Sequence, residues 1–191
     1  GKFFTLTPRI LRLGVAALAS LPLSQIVQPW LDQLSEQIGQ SCSVALLDET
    51  EIVYIARAAQ KRVMSIGLMP GSRLPAHCTS MGRVLLAALP REEADLLVRR
   101  SDLTPRTKFS ILDPVQTLCR IDAAREDGYA FVDQEVETGL RSIAVPLNDR
   151  KGLTVAALNI GLSSAGWTPK QTIETYLPHL LGVQSALGRV L

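Results

Sequence analysis

Apolar positions recur at helical spacing over the first forty residues and then give way to β-branched and apolar runs, so the chain changes period near Gly39. Ile10, Leu11, Leu13 and Leu18 follow Thr7-Pro8, an N-cap with a first-turn proline, and predict a first helix. Pro22 opens a second, with Ile26, Val27, Trp30, Leu31, Leu34 and Ile38 at helical spacing and Gly39 as its stop. Both are apolar over wide faces, which suits either burial against the domain or helix-to-helix packing in a dimer. Runs at 42–48 and 51–59 predict two strands joined in a hairpin at Asp48-Glu49-Thr50, and 62–69 is a third strand candidate. Beyond Pro90, the acidic start Arg91-Glu92-Glu93 and the basic end Arg99-Arg100 match the polarity of a short helix. Residues 101–112 form a connecting loop, and Asp113-Pro114-Val115-Gln116 then starts a helix that ends at Asp127-Gly128. Three more strands are expected at 129–136, 140–147 and 153–161, and Thr168-Pro169-Lys170-Gln171 starts a last helix. About six strands with helices before, between and after them give an α/β fold, a mixed sheet covered by helices.

The rest of the chain is organised around 74–89, LPAHCTSMGRVLLAAL. A tight loop, Pro70-Gly71-Ser72-Arg73, leads into small and hydrogen-bonding side chains where the helix begins, and the helix stops at Pro90. Thr79 or Ser80 is the N-cap, because its hydroxyl can accept a bond from an orphan backbone N–H. The same N–H groups and the positive end of the helix dipole suit an anion, worth ~0.3–2 kcal/mol depending on burial. The corner is therefore either an ordinary capped helix in a core or the floor of a small-molecule pocket.

Composition narrows the partners. The 191 residues are 47% hydrophobic, enough for one well-packed domain with an appended helical arm. Lys and Arg number 20 against 18 Asp and Glu, a net charge of +2. No concentrated basic patch of the kind that grips a duplex is visible. No apolar run approaches the ~20 residues of a membrane span, and the start carries no secretory signal pattern. Cys42, Cys78 and Cys119 lie far apart without a CxxC, which points to a reducing cytoplasm. GKFFTLTPRI opens on an apolar pair and reads as the tail of a longer protein.

Candidate chemistry is sparse. His77 and His179 are the two histidines and sit on different elements, so no metal set forms. Asp133, Glu135 and Glu137 alternate and would share one strand face, as a cation site or as a solvated carboxylate edge. Catalysis by Cys78 needs a base aimed at the thiol, and His77 is its sequence neighbour, a poor geometry. No phosphate-cradling glycine loop is present. Leu140, Ser142 and Ala144 share a strand face that Ser142 interrupts, and Asn159 interrupts 156–161 in the same way. Each polar break is satisfied internally or faces a cavity, since an unpaired group costs ~1–3 kcal/mol. Arg57 closes a strand pattern and can meet a carboxylate bidentately or form a surface salt bridge.

Several segments together resemble one family. GKFFTLTPRILRLG, EIVYIARA, RVMSIGLMPGSRLPAHCTSMGRVLLAALP and EDGYAFVDQEVETGLRSIAVPLND with LTVAALNIGLSS are similar to the effector-binding domain of IclR-type bacterial transcription regulators. The branch is that of β-ketoadipate-pathway regulators of protocatechuate and 4-hydroxybenzoate catabolism. The resemblance implies a GAF-like α/β fold with a mixed, mainly antiparallel sheet, assembly as dimers or tetramers, and no cofactor. It implies that residues 1–21 are the linker from an absent DNA-reading winged helix-turn-helix domain and that 22–191 bind the effector. The ligand is expected between the strand carrying GLRS, the strand carrying ALNIG and the HCTSMG corner. Carried over by motif, the site is His77, Cys78, Thr79, Ser80, Met81, Gly82, Leu140, Ser142 and Asn159. Ser142 stands where many members have Cys, and Asn159 where they have Ser, so the wall differs in polarity. Met64, Met81 and Leu140 would line the apolar part, with Arg57 for a second acid group. The expected ligand is a small carboxylate such as 3-oxoadipate, protocatechuate or 4-hydroxybenzoate. An enzyme acting on a similar acid through Cys78 or His77 is the alternative.

Overall fold

The computed structural model describes residues 22–59 and 67–191. The first predicted helix, the linker 1–21 and Met64 lie outside the described residues. The helix α1 (Pro22–Ile38) is followed by the hairpin β1 (Ser41–Asp48) and β2 (Glu51–Ala58), then a short β3 (Arg73–Pro75). The organising corner becomes α2 (Ser80–Ala87), backed by α3 (Arg91–Arg100) and α4 (Pro114–Asp127). The chain closes with β4 (Ala130–Asp133), β5 (Leu140–Asn148), β6 (Thr154–Ser163) and α5 (Pro169–Leu187).

The punctuation seen in the sequence sets these ends. Asp113 caps α4 by accepting from the Val115 N–H, and a left-handed Gly128 (φ 74°) ends that helix. Thr168 and Gln171 cap α5 reciprocally in a capping box. Side-chain caps of this kind contribute about 1 kcal/mol each.

The six strands run in the order β3-β2-β1-β6-β5-β4. Every pairing is antiparallel, so the sheet expected as mixed has no parallel pair among the described residues. Helices α1 and α5 bury Val27, Leu31, Leu34, Tyr176, Leu180 and Leu187 on one face, against Val44, Ile143, Val145, Leu158 and Ile160. Of the apolar face of α1, Val27, Leu31 and Leu34 are buried within the chain, while Ile26 stays 38% exposed. The other face receives α2, with α3 and α4 behind it.

Two strand expectations are corrected. The third strand is not 62–69: the described part, 67–69, is irregular, and β3 pairs Leu74 with Ile52 instead. It stays three residues long because Pro75 has no N–H with which to extend a ladder. The strand expected over 129–136 stops at Asp133, because Gln134 takes a left-handed conformation (φ 61°) and breaks the alternation.

Candidate functional site

The start of α2 is built by a close backbone approach. Thr79 is the N-cap; its Oγ1 accepts from the Gly82 N–H at 3.1 Å and donates to the Pro75 carbonyl at 3.1 Å. Gly82 lies so near Ala76 that an added Cβ would fall 2.1 Å from its carbonyl oxygen. The first turn thus presses against the loop that precedes it, and only glycine fits there. The Arg83 N–H goes to the Thr79 carbonyl. The N–H groups of Ser80 and Met81 have no intrahelical acceptor and remain at the helix mouth.

Beneath α2 lies a buried ion pair. The Arg83 side chain donates to the His77 carbonyl at 2.9 Å and to Glu135 Oε2 at 2.6 Å, with both partners almost wholly buried. The turn at Gln134 swings Glu135 inward, so Asp133, Glu135 and Glu137 form neither a solvated edge nor a shared face. Asp133 pairs with Arg141 at 2.8 Å. No cluster suited to a metal ion occurs among the described residues.

Across from α2, register aligns small and polar residues. Ser43 and Ala144 flank Asn159, and Ser41 and Ser142 flank Gly161. Between these strands and the helix start lies a cavity lined by Thr79, Ser80, Met81, Leu140, Ser142, Asn159 and Arg57, all expected from the sequence. Ser41, Tyr54, Leu68, Leu74, Val136 and Gly161 complete the wall and were not anticipated. Its enclosed interior is about 30 Å³, inside a concavity of about 470 Å³ counted to the open mouth.

Two polar atoms on this wall, Ser80 Oγ and Asn159 Oδ1, are buried without a hydrogen-bond partner. Such atoms are uncommon in folded proteins because each forfeits solvation worth ~1–3 kcal/mol. Among the described residues Arg57 is the wall's single cation, and none of them brings an acidic side chain to it. Its Nη1 donates to Ser43 Oγ at 2.9 Å, and it has no ion pair among the described residues, so the surface salt bridge is absent. Burial pushes the Tyr54 hydroxyl up to about 12, against the opposing pull of Arg57, and keeps it neutral.

Three expected residues lie off this wall. Gly82 is packed on Ala76, and Cys78 is turned inward, its thiol donating weakly to the Pro75 carbonyl at 3.8 Å. Burial pushes the Cys78 thiol up to about 11. His77 borders a different cleft, and burial, followed by the charges of Arg83 and Arg106, lowers it to about 4. A protonated thiol beside a neutral imidazole is not an activated nucleophile.

The model of the family described as bacterial transcriptional regulator IclR, C-terminal, matches residues 15–187. The Pca regulon regulatory protein of Pseudomonas putida is 42% identical over 98% of this chain, which spans 65% of that protein's length. The p-hydroxybenzoate hydroxylase transcriptional activator of Acinetobacter baylyi is 36% identical over 97% of this chain and 70% of its own. Among solved structures, the inducer-binding domain of an Acinetobacter PobR double mutant, in complex with 3-hydroxybenzoic acid, superposes with a TM-score of 0.81. It is 34% identical and covers 88% of this chain and 98% of its own. Fold, family match and relatives agree: the chain belongs to the IclR family of bacterial transcriptional regulators, where it corresponds to the C-terminal domain.

Proposed function

We propose that the chain is the effector-binding and oligomerisation domain of a regulator of aromatic-acid catabolism, and that the cavity between α2 and the β5–β6 strands takes the effector's acid. The observation that carries this reading is the pair of orphaned atoms, Ser80 Oγ and Asn159 Oδ1, on one wall. An effector with a carboxylate for the Ser80 hydroxyl and a hydroxyl donor for Asn159 Oδ1 answers both. The carboxylate takes the Ser80 and Met81 N–H groups and the Ser80 hydroxyl, helped by the helix dipole. The Ser142 hydroxyl donates to the keto, hydroxyl or second acid group, Asn159 Oδ1 accepts from a ligand hydroxyl, and Met81 and Leu140 hold the apolar part. Arg57, which has no ion pair among the described residues, favours an anion over a neutral ligand. The relatives named for Pca regulation and p-hydroxybenzoate hydroxylase, and the PobR domain with 3-hydroxybenzoic acid, support the aromatic-acid class.

Size couples binding to shape. An interior of about 30 Å³ is well below the ~150 Å³ of an engineered cavity that admits benzene. An aromatic acid therefore enters by displacing the half-buried side chains of Leu68, Val136 and Leu140. The ligand acts by favouring the widened arrangement, and a tenfold change in operator affinity needs just ~1.4 kcal/mol of coupling. DNA contact is assigned to a domain of the longer protein outside this chain, consistent with a net charge of +2. The regulator would work in the cytoplasm as a dimer or tetramer. Catalysis is not part of this reading, given the state of Cys78 and His77.

Titration calorimetry with 4-hydroxybenzoate, protocatechuate and 3-oxoadipate tests the proposal. Saturable binding of at least one acid is expected, weakened tenfold or more by Ser142→Leu. Binding of none, or an affinity untouched by Ser142→Leu, would overturn it.

A further inference from the structure

The segment Pro75–Thr79 has a second side. There it walls a cleft of about 410 Å³ between the β2–β3 edge and the loop after α3, within the usual size range of small-ligand sites. Most of the charge in this cleft is already committed. Arg73 is held by Asp48 at 2.7 Å and by Glu51 at 2.8 Å. The Asp102 carboxylate accepts from the Thr104 N–H at 3.0 Å and from its hydroxyl at 2.5 Å.

Two groups are not committed. The Arg106 guanidinium makes no ion pair or hydrogen bond among the described residues, although the Arg106 N–H bonds Ser110. His77 is 3% exposed, borders the cleft, and has an Nδ1 without a partner. A buried imidazole nitrogen left unpaired is as unusual as the orphaned atoms in the effector cavity. It lies on the same cleft as a free cation.

We infer that this cleft is a second ligand site, separate from the effector cavity, and that it binds a small hydroxylated monocarboxylate. The acid sits on the Arg106 fork, the His77 imidazole bonds a neighbouring polar group, and the hydroxyls of Thr50, Ser101 and Thr104 meet those of the ligand. A planar carboxylate matches a guanidinium bidentately. Asp102 on the wall, which has no ion pair among the described residues, disfavours a dianion such as phosphate more than a monoanion, because like charges at short range repel. His77 stays neutral there, so it offers one donor and one acceptor and no second charge.

The inference is independent of the effector reading, and the test keeps the two apart. The Ser142→Leu chain, with its effector cavity obstructed, is titrated with 4-hydroxybenzoate, D-gluconate and inorganic phosphate. The readouts are the NMR signals of the Arg106 Nε–H and the His77 ring. Saturable shifts at both residues with a monocarboxylate are expected, and Arg106→Leu, at an exposed position, should weaken that binding at least tenfold. Titration of Arg106→Leu alone should leave binding in the effector cavity unchanged. The proposal is overturned by an absence of saturable shifts up to ~10 mM, far weaker than functional small-ligand affinities. Binding indifferent to Arg106→Leu, or binding of phosphate in place of the monocarboxylates, would overturn it equally.

Discussion

Along β6 the side chains read Leu158, Asn159, Ile160, Gly161, Leu162, and the alternation sends large apolar groups to α1 and α5 while small or polar ones face α2. The same division holds on β5, where Ile143 and Val145 point one way and Ser142 and Ala144 the other. On β1, Val44 joins the first set and Ala45 the second. One face of the sheet is filled. The other carries hydrogen-bonding atoms where the first carries volume, and one of them, Asn159 Oδ1, is left without a partner among the described residues, as is Ser80 Oγ on the helix facing it. A cavity in a close-packed fold thus arises from side-chain size at aligned positions, without any gap in the backbone.

The two faces differ most visibly at the buried charges on the α2 side. Glu135→Ala strands the Arg83 guanidinium away from water and should lower stability by about 3–5 kcal/mol in urea unfolding. Ile143→Ala on the filled face leaves a void and should cost about 2–5 kcal/mol, whereas Ser142→Ala next to it should cost under ~1 kcal/mol. Equal losses for the pair would show that both faces are packed alike. Arg57→Leu should leave stability nearly unchanged but weaken effector binding by ~10–150-fold, the range of a hydrogen bond to a charged group. Asn159→Leu is the sharper contrast: it replaces an orphaned amide with volume, so the free chain should gain ~1 kcal/mol while effector binding is lost.

A pH effect has a definite sign. An unfolded-chain histidine protonates near 6.5, and folded His77 resists until about 4. Between those values the unfolded chain binds the extra proton, so stability falls as pH drops from about 6.5 to about 4, by at most ~1.4 kcal/mol per pH unit. Subtracting the profile of His77→Gln isolates this slope from that of the carboxylates.

The helix starts were legible because Asp113-Pro114 and Thr168-Pro169-Lys170-Gln171 carry their own caps, and Gly128 carries its own stop. The polar breaks Ser142 and Asn159 were legible for a similar reason: a lone polar residue in an apolar strand stands out in one dimension. Tyr54 and Ser41 were not, because they reach the cavity through strand register, which pairs Ser41 with Gly161 from far along the chain. The burial of Glu135 depends on a left-handed Gln134, a residue with no glycine-like signature. His77 and Thr79 are two residues apart, yet they serve different clefts. The tight N-cap turn against Gly82 separates them, and strand or helix periodicity does not describe such a turn.

The central claim is that an acid occupies the mouth of α2 opposite the polar breaks of β5 and β6. An amide NMR titration of the chain with 4-hydroxybenzoate, protocatechuate and 3-oxoadipate addresses it most directly. One of these acids is expected to move the Ser80, Met81, Ser142 and Asn159 resonances together and to saturation. Saturable shifts that spare those four, or none with any of the three acids, would contradict it.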